Sequence, residues 1–515
     1  MHKNNIFSPY FASIKLLIGD CMKKNDGPGL SRQLGILTLA ATGICSMLGA
    51  SVYVVPFMIQ RNVAGIGADV LPAFLLAALP AILAASAYAI LGSAMPRAGG
   101  SYLYASRGLN PYLGFIASFS QWFGLSIVIG VISYVIIPFF RDIATALSWD
   151  SWAVWLDIGA VRLTLSMLLL WSFVIINIIG LEFYKRTLIP LMFLMFGLGA
   201  IVIVAGFSFD QTIFAEVLLE ETGRTISQEQ SSWDFTTFLT AAALLFSSFI
   251  GFDSIAQAGG EAKNPQRSIP IAIGIAVLGV GAYYFIFTAA VYHTVPWQFV
   301  AEEAAQKDIT APGLLAYVLS PSWAIAITLG AAIALINDLP AMLLSVSRLM
   351  FAWAEDGIFS TKVAYVDPKR KTPVRAIIIS GIMASIGILG SHFAGDFFLG
   401  IDIMVTAMLV NFLLMCITVL TIHHYNPALA KEIKVFQSRT IQVLLAGAGV
   451  IFLSVFLVMH TLKDLRADVE AWYFHSTWVW LLVMGLASLI FLWKIKQLRQ
   501  NGIDLKEHFK VLPPN

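Results

Sequence analysis

The sequence predicts an all-α, polytopic membrane protein with twelve transmembrane helices. Three observations carry that prediction. Of 515 residues, 58% are hydrophobic and only 12% charged, about half the charged share of a soluble chain. Apolar stretches near the ~20 residues needed to cross a bilayer recur twelve times. Lys and Arg gather on alternate connections, 25 of the 32 on the side of the N-terminus and 7 on the other.

The spans read in order as Leu34–Met58, Asp69–Leu91, Tyr112–Phe139, Leu163–Gly180, Thr187–Phe207, Phe235–Ala258, Ile269–Tyr292, Trp323–Ser347, Val374–Phe393, Phe397–Ile422, Ile441–His460 and Thr477–Trp493. The fourth is a short apolar run, and the ninth and tenth are split only by His392–Asp396. An even number of spans puts both ends on one side, and the basic excess assigns that side to the cytoplasm. A multi-pass protein of the cell membrane is expected, with residues 1–33 and 494–515 as cytoplasmic tails. Ile14–Gly19 is too short an apolar core for a signal peptide.

Composition also narrows function. A net charge of +2 with no basic stripe excludes a nucleic-acid binder. Cys21, Cys45 and Cys416 are far apart, and the last two lie in apolar runs, where cysteine packs as a small hydrophobe. No metal cluster, phosphate loop or nucleophile elbow is evident, so neither cofactor nor enzymatic chemistry is expected.

Away from the span ends, where Asp69 and Arg375 lie, the spans hold three acids, Asp253, Asp338 and Asp402, and no Lys or Arg. An ionisable side chain in the bilayer costs at least ~2.5 kcal/mol on insertion scales and is a functional candidate. Asp338 lies ten residues before Arg348, about 15 Å along a helix and so near the midplane. It reads as a binder of a substrate cation or an acceptor of a coupling proton, or else as an acid hydrogen-bonded at the turn broken by Pro340. Asp402, close to the end of its span, reads as a solvated acid or a coupling candidate. Trp122, Phe252 and Met342 sit where side chains facing a central cavity would lie.

Two spans carry clusters of small and polar residues at mid-length. The first reads Thr42-Gly43-Ile44-Cys45-Ser46-Met47-Leu48-Gly49-Ala50-Ser51 and the sixth Phe246-Ser247-Ser248-Phe249-Ile250-Gly251-Phe252-Asp253-Ser254. Five spans apart, they fit an inverted five-plus-five repeat whose first helices unwind at the midplane. An unwound helix frees N–H groups near Gly49-Ala50-Ser51 that attract an anion, and carbonyls around Ser247–Ile250 that suit an ammonium or metal cation. Together they describe a receptor for a zwitterion. Close packing through small residues is the alternative.

At these residues the chain resembles the amino acid–polyamine–organocation superfamily of transporters. The densest match runs from Phe249-Ile250-Gly251-Phe252-Asp253 through Glu261-Ala262-Lys263-Asn264-Pro265 to Arg267, Ile269 and Pro270. Three shorter stretches agree: Met95-Pro96-Arg97-Ala98-Gly99-Gly100-Ser101-Tyr102, Ser347-Arg348 with Ala354–Phe359, and Lys371-Thr372-Pro373-Val374. The resemblance implies a ten-helix core at 34–422, two peripheral helices at 423–493, and transport by alternating access as a symporter or exchanger. It implies an amino acid or related amine as substrate; three acids well inside the spans and no base among them suit a neutral or cationic amino acid, with a polyamine or another amine, or a non-transporting amino acid sensor, as alternatives.

The resemblance assigns the substrate carboxylate to Met47, Gly49, Ala50 and Ser51, and the amine to Ser247, Phe249, Ile250 and Asp253. It assigns an inner gate to Glu261, Lys263, Arg348 and Asp356, in loops with Gly99 and Gly100. Three departures stand out. Ser51 ends the usual small triplet, Gly260 replaces one acid of a glutamate pair, and Met195 occupies the place where some proton-coupled members carry lysine. The coupling ion, H+ or Na+, and the oligomeric state stay open.

Overall fold

The computed structural model describes residues 29–49, 51–227, 233–394, 397–469 and 471–513. Ala50 and the acid at position 396 fall outside these, as does the N-terminal tail before Gly29. Twelve helical spans are present: Ile36–Asn62, Gly67–Ala94, Pro111–Ala146, Gly159–Ile179, Leu181–Ser208, Phe235–Gln257, Pro265–Thr294, Ser322–Glu355, Val374–Phe393, Leu399–Tyr425, Arg439–Arg466 and Ser476–Gln500. The chain is an all-α, multi-pass membrane protein. Among the described residues, extended pairing is confined to two isolated bridges, Leu34 with Ala262 and Ala98 with Ala258.

The helices outrun the apolar cores that announce them. The third runs 36 residues and the eighth 34, because polar turns added at a helix end keep their backbone hydrogen bonds beyond the hydrocarbon. Starts follow local chemistry. Asn110 accepts from the Tyr112 N–H at 2.9 Å with Pro111 in the first turn, and Asp234 caps the sixth span through the Thr237 N–H at 2.7 Å.

Packing repeats itself when each of the first five spans is exchanged for the span five later. The pairs third–eighth, second–seventh and fourth–ninth map onto themselves. First–seventh maps onto second–sixth, and fifth–eighth onto third–tenth. This is the contact pattern of two interlocked five-helix units. The eleventh span packs on the tenth, second and sixth, and the twelfth on the tenth and third, with most of both helices facing outward.

The first and sixth spans are both interrupted. The first is helical over Ile36–Met47 and again over Ser51–Asn62. The sixth is helical over Phe235–Leu245, tightens into a 3₁₀ turn at Phe246–Phe249, extends at Ile250 and resumes briefly at Ser254–Gln257. Gly251, at φ +133°, lies in a conformation other residues rarely adopt, and a Cβ there would overlap the Ser46 carbonyl. Only glycine lets the two breaks pack back to back.

Candidate substrate cavity and gate

The freed backbone of the first break finds partners on the seventh span. Tyr284 donates to the Met47 carbonyl at 2.9 Å and its hydroxyl also meets Ser51 Oγ. Ser51 Oγ donates to the same carbonyl at 3.3 Å. On the sixth span Ser254 donates to the Gly251 carbonyl at 2.6 Å. Irregular backbone at this depth is thus satisfied by hydroxyls or lines a cavity.

That cavity, about 560 Å³ of atom-free space that includes open solvent, lies between the two breaks. Ser46, Met47 and Ser51 come from the first span, Ser247 and Ile250 from the sixth, and Asp338 and Met342 from the eighth. Aliphatic side chains of the third and tenth spans complete it. Asp338 is 3% exposed, and its Oδ1 has no hydrogen-bond partner among the described residues. The carboxylate sits so close to Gly49 that a Cβ there would overlap it, and the Gly49 N–H is its backbone partner.

The other sequence-predicted residues fall around this cavity. Phe249 packs behind its wall against Phe74, with ring centroids 5.3 Å apart. Asp253 is turned away from the cavity, accepting from Gln121 Nε2 and, at 3.2 Å, from the Gly251 N–H. It belongs to a buried polar network that spacing did not reveal. Ser101 donates to Gln121 at 2.6 Å, Gln257 donates to Ser101 at 2.6 Å, and Asn411 donates to Tyr88 at 2.7 Å. Met342 lines the cavity, whereas Trp122 donates to Ser380 at 3.2 Å and Phe252 stacks on Phe412.

Asp402 lines a second, smaller cavity of about 390 Å³ with Asn62 and Lys463. The two cavities share Val55, Ser247 and Ile401. They are stacked toward the side opposite the N-terminus.

On the N-terminal side of the cavity lie two buried ion pairs. Arg348 grips Glu261 with two bonds, Nε at 3.1 Å and Nη2 at 2.5 Å. Arg107 grips Asp356 likewise, at 2.5 and 2.8 Å. Arg107 and Arg348 are each 1% exposed. Burial alone would lower the Arg107 pKa, but the adjoining Asp356 holds it above its ordinary value.

Two expectations change here. Arg348 lies within the helix of the eighth span, so a cation does enter a span, near its end and paired. The stretch holding Gly100 is a fully buried helix, Gly100–Gly108, and not a loop. Gly99, at φ +81°, precedes it, and a Cβ there would overlap Ala352. Lys263 contributes backbone, its N–H donating to the Leu34 carbonyl at 2.8 Å, while its side chain is exposed. Sequence reasoning missed Arg107; the signal was an arginine in a segment otherwise built of small and aromatic residues.

Comparison with known proteins fits this arrangement. Residues 34–487 match the family model described as amino acid permease. The chain is 26% identical over 377 residues to the vacuolar cationic amino acid transporter 4 of Arabidopsis thaliana, covering 70% of this chain and 59% of that protein. It is 28% identical over 371 residues to cationic amino acid transporter 4 of Mus musculus, covering 69% and 55%. It is 26% identical over 371 residues to the branched-chain amino acid permease BcaP of Bacillus subtilis (strain 168), covering 70% and 75%. The match thus spans little more than half the length of the two cationic transporters. With a family match over most of its length and a cavity walled by two broken helices, the chain belongs to the amino acid permease family.

Proposed function

We propose that this protein is a secondary transporter that carries an amino acid, cationic or neutral, by alternating access. It is a carrier and not an enzyme. The observation that carries the reading is the cavity between the two breaks, where Met47, Ser51, Ser247 and Ile250 meet Asp338. The carboxylate on the eighth span, seated on the Gly49 N–H, gives the amine of an amino acid a partner, and the start of the first span's second helix, at Ser51, suits its carboxylate. The names of the relatives, which handle cationic or branched-chain amino acids, agree with that class.

Closed ion pairs on one side and a second cavity on the other support an arrangement open away from the N-terminus. The basic excess supports assigning the N-terminal side to the cytoplasm of a cell membrane, although one relative is vacuolar. Transport then requires the Glu261–Arg348 and Asp356–Arg107 pairs to part as the cavity turns inward. Asp253, locked in its network, is a linkage residue between moving helices in this reading.

The test is a competition panel of amino acids and polyamines in proteoliposomes, with and without sodium and a pH gradient. Exchange of an amino acid is the expected result. Uptake confined to polyamines overturns the substrate class, and binding without counterflow overturns transport in favour of sensing.

A further inference from the structure

Among the described residues, the central cavity holds one charge and no counter-charge for it. Of the described residues lining it, only Asp338 carries a formal charge. Asp338 is 3% exposed, and its Oδ1 has no partner among the described residues. Ser46 Oγ, on the same wall, is likewise buried and unpartnered. An uncompensated buried carboxylate is strongly destabilising, so the occupied cavity must supply a positive charge.

Resting on the amino acid reading above, we infer that Asp338 sets the charge of the cargo: the cavity is completed by one positive charge, brought by the side chain of a cationic amino acid or by a proton accompanying a neutral one. The zwitterionic head of any amino acid sums to zero. A lysine-like substrate therefore neutralises Asp338 unaided, a leucine-like substrate leaves one negative charge, and a glutamate-like substrate leaves two. The first is carried alone, the second with one proton, and the third is excluded.

Other groups around the carboxylate do not supply the charge. The titratable groups facing it are Cys45 of the first span, which accepts from Asn337 Nδ2 at 2.9 Å, and Tyr284 of the seventh. Tyr184 of the fifth span is turned to Thr42 at 2.9 Å. From the fourth span Asn177, neutral, donates to the Pro340 carbonyl at 3.4 Å. The third and tenth spans present aliphatic side chains and Met404. Arg348, on the same helix, is held by Glu261.

The test is uptake of radiolabelled lysine, leucine and glutamate by the full chain in proteoliposomes between pH 5.5 and 8, with transported charge recorded. Wild type is expected to take up lysine at a rate flat with pH and leucine at a rate that rises as pH falls, each with one charge per molecule. Asp338→Asn is expected to raise the lysine KM by tenfold or more and to flatten the leucine profile, while Asp338→Glu keeps the wild-type pattern. A folded, monodisperse Asp338→Asn protein that still prefers lysine overturns the charge rule. So does wild-type leucine uptake that ignores pH, a result that does not depend on the variant folding. Absence of uptake for every amino acid, with polyamines carried, overturns instead the amino acid reading on which the rule rests.

Discussion

Gly49 shows how one missing Cβ makes a site. Its N–H reaches the Asp338 carboxylate only because no side chain intervenes. Gly49→Ala forces that carboxylate away, and a shift near 1 Å in a binding site can cost on the order of 100-fold. The expected outcome is a loss of uptake of roughly that size with the protein still monodisperse in detergent, checked by transport assay and size-exclusion chromatography. Ser51 illustrates the opposite economy. Its hydroxyl shares the Met47 carbonyl with Tyr284, so the departure from the family's usual glycine adds a donor where the helix has lost one.

Helices and their connections act through the ion pairs that join them. Arg348 and Glu261 tie the eighth span to the exit of the sixth, with side chains 1% and 0% exposed. Glu261→Gln leaves the guanidinium buried without its counter-charge, a loss of about 3–5 kcal/mol. The expected signs are a lower unfolding temperature and easier modification of cavity residues from the N-terminal side, both lessened when Arg348→Met removes the stranded charge.

On the opposite side, Glu303 joins Arg224 at 2.7 Å and Lys307 at 2.6 Å. Burial would raise its carboxyl, but Lys307 and Arg224 hold it below the usual carboxylate range. A depressed value contributes stability in full above the unfolded glutamate value of about 4.3. That contribution disappears as pH falls through the lower folded value. Unfolding temperature measured from pH 7 to pH 3 should fall less steeply in Glu303→Gln than in wild type.

Across the whole molecule, the stacked cavities and the ion pairs support the proposed arrangement, open away from the N-terminus. Ser247 borders both cavities. Ser247→Cys, in a background with Cys21 replaced by Ser, should react with a membrane-impermeant thiol reagent from the side opposite the N-terminus. The native Cys45 and Cys416 are buried and should react far more slowly. Modification only from the N-terminal side would contradict this arrangement. The network of Tyr88, Ser101, Gln121, Asp253, Gln257 and Asn411 joins the second, third, sixth and tenth spans, so the alternating access proposed above would have to break it. Gln121→Leu is expected to speed interconversion while weakening the closed state, which hydrogen exchange in those four helices would register.

Span number, the two interruptions and the alternation of basic connections were legible from residue order alone, because each depends on local properties: apolar length, small-residue clustering and charge along the chain. Met47, Ser51, Ser247 and Ile250 could be named in advance because unwound helices write themselves as Gly and Ser. Asp338 could be named because a charge in an apolar run is conspicuous. Its seat against Gly49, nearly 300 positions away, is a contact that no local pattern encodes. The same holds for Arg107, whose meaning lies in Asp356, and for Asp253, which looked toward the substrate by sequence and turns toward Gln121 in space. Local chemistry selects which residues can matter; long-range packing decides which of them share a cavity, a gate or a network, since only the folded chain sets the distances over which charge and hydrogen bonds act.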